Sequence, residues 1–147
     1  MRLSDALAGV ELIFLDTAPI IYHVEASRRY SRVVGPIFDQ VSDGGLHAVT
    51  SSIALAECLV HPYKKNDSAL AKRFRDFITK GRNTLYAGVD AVAEAAAEKR
   101  ARYGLSLTDA FQVAVALAAD CDALLTNDQD LKRVEEIRII LLDDLEL

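Results

Sequence analysis

Short apolar runs alternate with longer amphipathic segments along this chain. The short runs cover residues 12–15, 47–51, 84–89, 123–126 and 138–142. Runs of this length, rich in Leu, Ile and Val, are typical of strands that are buried on both faces of a parallel sheet. The pattern therefore predicts five strands.

The longer segments repeat their apolar residues with the period of an α-helix. They predict helices at residues 18–26, 31–41, 52–61, 67–80, 90–103 and 106–119, and a short helix at roughly 128–135. Pro62 is predicted to end the third helix, because proline removes a helical hydrogen bond and clashes with the preceding turn. Strands that alternate with helices favour an α/β fold in which helices cover both faces of a mostly parallel sheet.

Length and composition favour a single domain over residues 1–147. Hydrophobic residues form 51% of the chain, enough for one sizeable core, and no apolar run approaches the roughly 20 residues that span a membrane. The N-terminal segment lacks the pattern of a signal peptide, so we expect a cytoplasmic protein. In that compartment Cys58 and Cys121 are predicted to be buried free thiols.

Four acidic residues adjoin the predicted core segments. Asp16 follows the first strand and Glu57 interrupts the third helix. Asp109 lies at the start of the last long helix, and Asp128 follows the fourth strand. Ionised carboxylates are rarely buried unless they are paired or bound to a metal, and these segments hold no matching Lys or Arg. The pattern predicts a cation-binding pocket.

The predicted sheet gives these acids a common location. Sites in such sheets form beyond the carboxyl ends of the strands. Asp16 and Asp128 lie just past strand ends, whereas Glu57 and Asp109 lie early in helices that begin near strand ends. We therefore expect the four side chains to converge on one edge of the sheet.

Each acid also has a purely structural interpretation. Asp16 could cap the helix after the first strand, and Asp109 could form a capping box with Ser106. Glu57 could point to solvent from an amphipathic helix. Charges at the positive end of the short helix could explain the remaining two acids, Asp128 and Asp130. The residues alone leave these alternatives open.

The charge of the chain is unevenly distributed. A formal net charge of −5 argues against a simple nucleic-acid-binding domain. Residues 64–82, however, hold seven basic and two acidic side chains, and a second basic cluster surrounds Tyr30 at residues 28–32. Both are interpreted either as solvated helix faces or as a rim that tracks a nucleic-acid backbone. In the first segment the candidate contacts are Lys72, Arg73 and Arg75.

Four sequence blocks together resemble the PIN domain family. They are LDTAPIIY at 15–22, AE at 56–57, LTDA at 107–110 and LLTNDQDL at 124–131. Their order, their spacing and the chain length are similar to those of the VapC-like toxins of bacterial and archaeal toxin–antitoxin pairs. One departure is Leu131, because family members often carry Phe at that position.

The resemblance implies a fold, an activity and partners. The fold is a three-layer α/β/α sandwich around a five-stranded, mostly parallel sheet, and the activity is cleavage of RNA that depends on magnesium or manganese. The partners are an RNA substrate, a small antitoxin protein and a second copy of the chain in a homodimer. The metal-site residues carried over are Asp16, Glu57, Asp109 and Asp128, with Thr126 in support and Asp130 as the alternative fourth acid.

The chemistry of the cation agrees with this resemblance. Mg²⁺ prefers oxygen ligands, keeps several waters and is usually held by one or two carboxylates and the substrate phosphate. Asp16 and Asp109 are the favoured direct ligands, Glu57 is expected to orient a water, and Asp128 completes the site. The chain shows no Ser/His/Asp or Cys/His set, which favours attack by hydroxide over a covalent enzyme intermediate.

Two other classes of protein remain as alternatives. One is a different magnesium-dependent α/β phosphohydrolase or a receiver-type domain. A haloacid-dehalogenase-type phosphatase needs a second Asp where this chain has Ala18, and a receiver domain needs an acidic pair near its N-terminus. The other is a non-catalytic PIN-like binding protein, against which the presence of all four acids argues.

Overall fold

The chain forms one sheet of five parallel strands in the order β3-β2-β1-β4-β5. The structure is a computed structural model and describes residues 1–146. The strands are β1 (Leu12–Leu15), β2 (His47–Ser51), β3 (Thr84–Ala87), β4 (Ala123–Thr126) and β5 (Arg138–Leu141). In the register of the central strands, Phe14 lies opposite Val49 on one side and Leu124 on the other.

Seven α-helices connect and cover these strands. They are α1 (Leu3–Ala6), α2 (Thr17–Val24), α3 (Ser31–Asp43), α4 (Ser52–Lys64), α5 (Ser68–Lys80), α6 (Ala93–Tyr103) and α7 (Leu107–Ala118). Three short 3-10 helices span Asp90–Val92, Gln129–Arg133 and Leu142–Asp144. Within residues 1–146 no helix is both long enough and apolar enough to cross a bilayer.

Alternate residues of the central strand feed two separate cores. Ile13 and Leu15 pack with α2, α3, α4 and α5 on one face, whereas Phe14 packs with α6 and α7 on the other. All three side chains are fully buried. The predicted three-layer α/β/α sandwich is thereby confirmed, and the sheet is entirely parallel.

The order of the strands creates a crevice beside β1. The chain runs outward from β1 to β2 and β3, and then crosses to β4 on the opposite side of β1. Ligands of open α/β sheets bind at such a reversal, beyond the carboxyl ends of the strands. A ligand-binding site is therefore expected in the crevice at the ends of β1 and β4.

The prediction that Pro62 ends the third helix is wrong. Helix α4 continues through Pro62 to Lys64. The proline ring is buried, and its carbonyl accepts a hydrogen bond of 2.8 Å from the Asp67 amide in the turn to α5. Burial of the ring offsets the single hydrogen bond that proline removes so near the helix end.

The third strand is shorter than predicted. It ends at Ala87, which pairs with Ser51, the last residue of β2. Because β2 stops there to begin α4, the edge strand β3 loses its only partner, and the chain turns into the 3-10 helix at residues 90–92 before α6 begins.

The thiol prediction is confirmed: Cys58 and Cys121 are free and buried, and burial raises the pKa of both to about 12.

Candidate functional site

Asp16 is the most deeply placed of the acids at the crevice. It directly follows β1, and only 6% of its surface is exposed. Its Oδ1 accepts a hydrogen bond of 3.2 Å from Gln112 Nε2, and its Oδ2 accepts one of 2.7 Å from Thr126 Oγ1. Burial raises the pKa of Asp16, and these hydrogen bonds oppose that rise. Although Asp16 is the N-cap residue of α2, both carboxylate oxygens are fixed by neighbouring elements.

A buried chain of polar side chains sets the position of Asp16. Ser51, at the end of β2, donates a hydrogen bond to Gln112 Oε1, which leaves the Gln112 amide nitrogen free to donate to Asp16. Ser51, Gln112 and Thr126 are each completely buried. These hydrogen-bonded side chains link β2, α7, β1 and β4, so the orientation of one carboxylate depends on four elements of the fold.

Gln112 and Ser51 were missed by the sequence analysis. The available signal was an amide side chain inside an otherwise apolar helix, three residues after Asp109. Residues three apart lie on the same face of a helix, so Gln112 had to face the same crevice as Asp109. Ser51 carries no comparable signal, because a serine at the end of a strand is most simply read as a helix cap. It does fill that role, since its hydroxyl accepts a hydrogen bond of 3.3 Å from the Ala54 amide.

Asp109 and Asp128 meet across the crevice. Burial first, then a hydrogen bond from its carboxyl to Asp128 and the charges of Asp128 and Asp16, raise the pKa of Asp109 to about 7. A neighbouring carboxylate favours the protonated form of Asp109 in the absence of a cation. Half of the predicted capping box is present, because Ser106 Oγ accepts a hydrogen bond of 3.2 Å from the Asp109 amide. Capping of α7 and a cleft-facing carboxyl group are therefore both properties of this turn.

The turn after β4 separates the two candidates for the fourth acid. The Asp128 amide donates to Thr126 Oγ1 at 3.0 Å, and Asp128 Oδ1 accepts from the Asp130 amide at 2.9 Å. Asp128 thus caps the 3-10 helix and also lines the cleft. Asp130 is exposed, lies outside the cleft lining and pairs with Arg133 at 3.2 Å.

Glu57 lines the same cleft from helix α4. It is exposed on α4, and its Oε1 accepts a hydrogen bond of 2.7 Å from Thr17 Oγ1. Thr17 is the residue after Asp16, so this contact ties the α4 wall to the end of β1. The alternative that Glu57 points to solvent agrees with its exposure, and the residue also lines the cleft.

The cleft has the donor chemistry of a site for a hard cation. It is open and about 500 Å³ in volume, and its lining in residues 1–146 includes four carboxylates and no Lys, Arg or His. In the same part of the chain, no three acidic, His or Cys side chains are grouped closely enough to hold one ion by themselves. This arrangement fits a cation with one or two carboxylate ligands, whose other ligands are water or substrate oxygens.

A model of the PIN domain family matches residues 13–137. The chain belongs to the PIN domain family. The match spans every strand up to the start of β5 and all four cleft acids. No curated protein matches the sequence.

Solved structures of VapBC proteins share this PIN fold. VapBC2 from Rickettsia felis, bound to a DNA fragment from its promoter, aligns with a TM-score of 0.70 at 17% identity over 88% of this chain and 98% of that one. VapC20 from Mycobacterium tuberculosis, a toxin that cleaves the sarcin–ricin loop, aligns with a TM-score of 0.69 at 19% identity over 86% and 98%. VapBC-1 from nontypeable Haemophilus influenzae gives 0.63 at 19% over 90% and 98%. At these identities the likeness establishes the fold.

The basic segment of this PIN domain lies apart from the cleft. Lys72 forms an ion pair with Asp76, and the Arg73 guanidinium donates to the Val24 carbonyl at the end of α2. Arg75 lines, with Lys72, a separate cavity of about 580 Å³ between α4 and α5. That cavity shares no residue with the acidic cleft. Two of the three predicted RNA contacts therefore have intramolecular partners, and their role in RNA binding stays a prediction.

Proposed function

We propose that this PIN domain protein is an endoribonuclease that depends on magnesium or manganese. The observation that carries the proposal is that Asp16, Glu57, Asp109 and Asp128 line one cleft at the sheet reversal. The lining that the structure describes offers these carboxylates no basic partner, so a cation is the natural counter-charge. An RNA phosphodiester supplies the further oxygen ligands that such a cation takes.

The solved relatives support this substrate class. VapC20 is a toxin that cleaves the sarcin–ricin loop, which is an RNA target, and its fold aligns over 86% of this chain. Family membership and the four cleft acids point in the same direction. A phosphatase or receiver-type activity has no comparable support, because no structure with such an activity is among the relatives described above.

The residues of the chain divide the work of the site. A bound Mg²⁺ or Mn²⁺ would neutralise the phosphate and lower the pKa of an attacking water. Asp16 offers a carboxylate whose position Gln112 and Thr126 fix before any ligand arrives. Asp109 would lose its proton on facing a cation, and Asp128 offers a second carboxylate in the same cleft. Glu57, held by Thr17, orients a water in this cleft.

The test is cleavage of a mixed RNA pool with and without magnesium or manganese. Asp16→Asn and Asp109→Asn should each reduce cleavage to the level of a metal-free sample, because each removes a negative oxygen ligand. Asp130→Asn is the matched control: it removes a nearby charge that lies outside the cleft lining and should keep wild-type activity. Far-UV circular dichroism should be unchanged in all three variants.

Two outcomes would contradict the proposal. Full activity of both cleft variants would exclude these acids from the reaction. Release of phosphate from a simple phosphomonoester, without cleavage of any RNA, would favour a phosphatase over a nuclease.

We also propose that a small antitoxin silences the enzyme and that the active form is a homodimer. A toxin–antitoxin complex from Klebsiella pneumoniae aligns over 88% of this chain with a TM-score of 0.63 at 19% identity, and this supports the first part. An antitoxin that inserts a basic side chain would meet the unpartnered cleft carboxylates. Co-expression with the product of the neighbouring small gene should relieve growth arrest. Harmless overexpression without a co-purifying partner would contradict the antitoxin, and a monomer in analytical ultracentrifugation would contradict the homodimer.

A further inference from the structure

A stack of aromatic rings adjoins the acidic cleft. The rings of Tyr22 and Tyr30 lie 4.1 Å apart between centroids and within 10° of parallel. Tyr22 lines the cleft together with Asp16 and Asp128. The guanidinium of Arg29 lies over the Tyr30 ring, 5.1 Å from its centroid. Tyr22, Tyr30 and Arg29 are called the tyrosine stack below.

Hydrogen bonds connect the stack to the turn that carries Asp128. Asn127 Nδ2 donates to the Tyr30 hydroxyl at 3.0 Å and reaches the Tyr22 hydroxyl at 3.4 Å. Asn127 Oδ1 accepts from the Asp143 amide at 3.0 Å, and the Tyr30 hydroxyl donates to the Asp143 carboxylate at 2.7 Å. Because Asn127 is the residue before Asp128, the stack and the cleft acids are fixed relative to each other.

The segment that carries Tyr30 also carries positive charge. Residues 28–32 contain three arginines and no acid. Arg28 and Arg32 are exposed, and neither lies within ion-pair distance of a carboxylate in residues 1–146. Arg29 is also largely exposed and only loosely paired with Asp143, at 3.7 Å. In the 64–82 segment, by contrast, Lys72 and Arg73 are held by contacts within the protein.

We propose that the tyrosine stack with Arg28 and Arg32 forms a subsite for single-stranded RNA beside the acidic cleft. An unpaired base lies against Tyr22 at the cleft wall, and the arginines contact the adjoining backbone phosphates. Aromatic faces accept any unpaired base, whereas bases in a duplex are already stacked, so the subsite selects loops and single strands. This inference rests on the proposed function, because it takes the cleft to be where the RNA is cut.

Binding of a short unstructured RNA tests the arginines separately from cleavage. The measurement is fluorescence anisotropy in the Asp16→Asn background with EDTA, over a series of salt concentrations. Replacing both Arg28 and Arg32 with Gln should reduce the slope of log affinity against log salt by about 1.4, because each phosphate contact with a single strand contributes about 0.7. Replacing Lys64 and Lys65 with Gln removes the same charge from an exposed pair at the end of α4 and should leave the slope unchanged.

A second pair of variants tests the base. Tyr22→Leu should weaken binding about tenfold, because stacking of one base on an aromatic ring is lost. Tyr22→Phe keeps the ring and loses only the hydroxyl, so binding should stay near that of the parent protein. An abasic nucleotide at the contacted position should weaken binding to the parent, but not binding to Tyr22→Leu. Circular dichroism checks that Tyr22→Leu is folded, and the exposed arginine pair provides the test if it is not.

The outcomes separate this inference from the proposed function. Equal losses from the arginine and lysine pairs, or an unchanged slope from both, would overturn the subsite. A wild type that cleaves RNA but binds it independently of these residues would overturn the subsite and leave the nuclease intact. Binding that depends on the arginines and on Tyr22, in a protein that never cleaves RNA, would support the subsite and overturn the nuclease.

Discussion

The carboxyl group of Asp109 has opposite preferences with and without a cation. Burial and the neighbouring Asp128 raise its pKa to about 7, so the metal-free folded protein keeps a proton there in mildly acidic solution and loses it near neutral pH. A cation in the cleft favours the ionised form instead. In the unfolded chain the pKa of Asp109 has its ordinary value of 3.8, so the proton is lost at a much lower pH.

This difference predicts that the contribution of Asp109 to metal-free stability falls as pH rises from about 4 to about 7. In that range the folded state binds one more proton than the unfolded state, so each increase in pH favours unfolding. The decrease in unfolding free energy per pH unit from this group should be largest between the two pKa values and vanish above pH 7. Asp109→Asn should flatten the curve, because the amide does not titrate. The measurement is urea unfolding in EDTA across a pH series.

Asp130→Asn provides the control for this pH dependence, because Asp130 is exposed and paired with Arg133 outside the cleft. Its curve should follow that of the wild type. A wild-type curve that runs parallel to the Asp109→Asn curve over the same range would mean that Asp109 is ionised in the folded protein.

The convergence of the four acids on one cleft could be predicted from the sequence, but the residues that orient Asp16 could not. Asp16 and Asp128 were visible because a carboxylate beside an apolar strand is costly without a partner. Gln112 and Ser51 are uncharged, so their burial leaves no equivalent mark on the sequence. Their roles follow only from the crossing of α7 over the end of β2, which is a property of tertiary structure.

At the scale of elements, the first turn of α7 joins helix stability to the site. Ser106 caps this helix and thereby fixes the backbone of Asp109. Helix α5 has a cap of the same kind at Asp67, whose Oδ1 accepts from the Leu70 amide at 3.0 Å. The α5 cap is far from the cleft lining, so the two caps differ in function but not in their local chemistry.

We expect Ser106→Ala and Asp67→Ala to lower stability by similar amounts, about 1 kcal/mol each, because each leaves one helical amide without its acceptor. Only Ser106→Ala should also reduce metal-dependent RNA cleavage, because the turn that carries Asp109 becomes less ordered. The measurements are thermal melts and initial cleavage rates at saturating magnesium. Equal activity of the two variants would show that the cap does not position Asp109.

Most elements could be predicted from the period of the apolar residues, but several boundaries could not. The strand over 12–15 is reproduced residue for residue, and the helix over 106–119 differs by one residue at each end. The errors at Pro62 and at the end of β3 have tertiary causes: a buried proline ring and the loss of a pairing partner. Local sequence contains neither piece of information.

At the scale of the whole molecule, the strand order brings together acids that are distant in sequence. Asp16 and Asp128 follow adjacent strands only because the chain returns from β3 to the far side of β1. The long crossover through α6 and α7 then places Asp109 over the same edge. A cation that contacts these residues therefore bridges separate segments of the fold, and it stabilises the native arrangement as a whole.

This bridging predicts a metal-dependent melting temperature. A ligand that binds only the folded state stabilises it by about 2.7 kcal/mol at a hundred times its dissociation constant. Thermal melts with and without magnesium or manganese should show this gain for the wild type and for Asp130→Asn. Asp109→Asn should lose most of the gain, because a negative ligand is gone.

The metal-free melt of Asp109→Asn separates a metal site from a simple helix cap. If the carboxyl groups are crowded by burial and by one another, an amide relieves that crowding, and the variant should melt at or above the wild-type temperature. If Asp109 only complements the positive end of α7, the variant should lose roughly 0.3–1 kcal/mol whether or not metal is present. A destabilised variant beside a wild type that ignores both metals would exclude a cation site in the cleft. It would leave Asp109 as part of the helix cap that Ser106 begins.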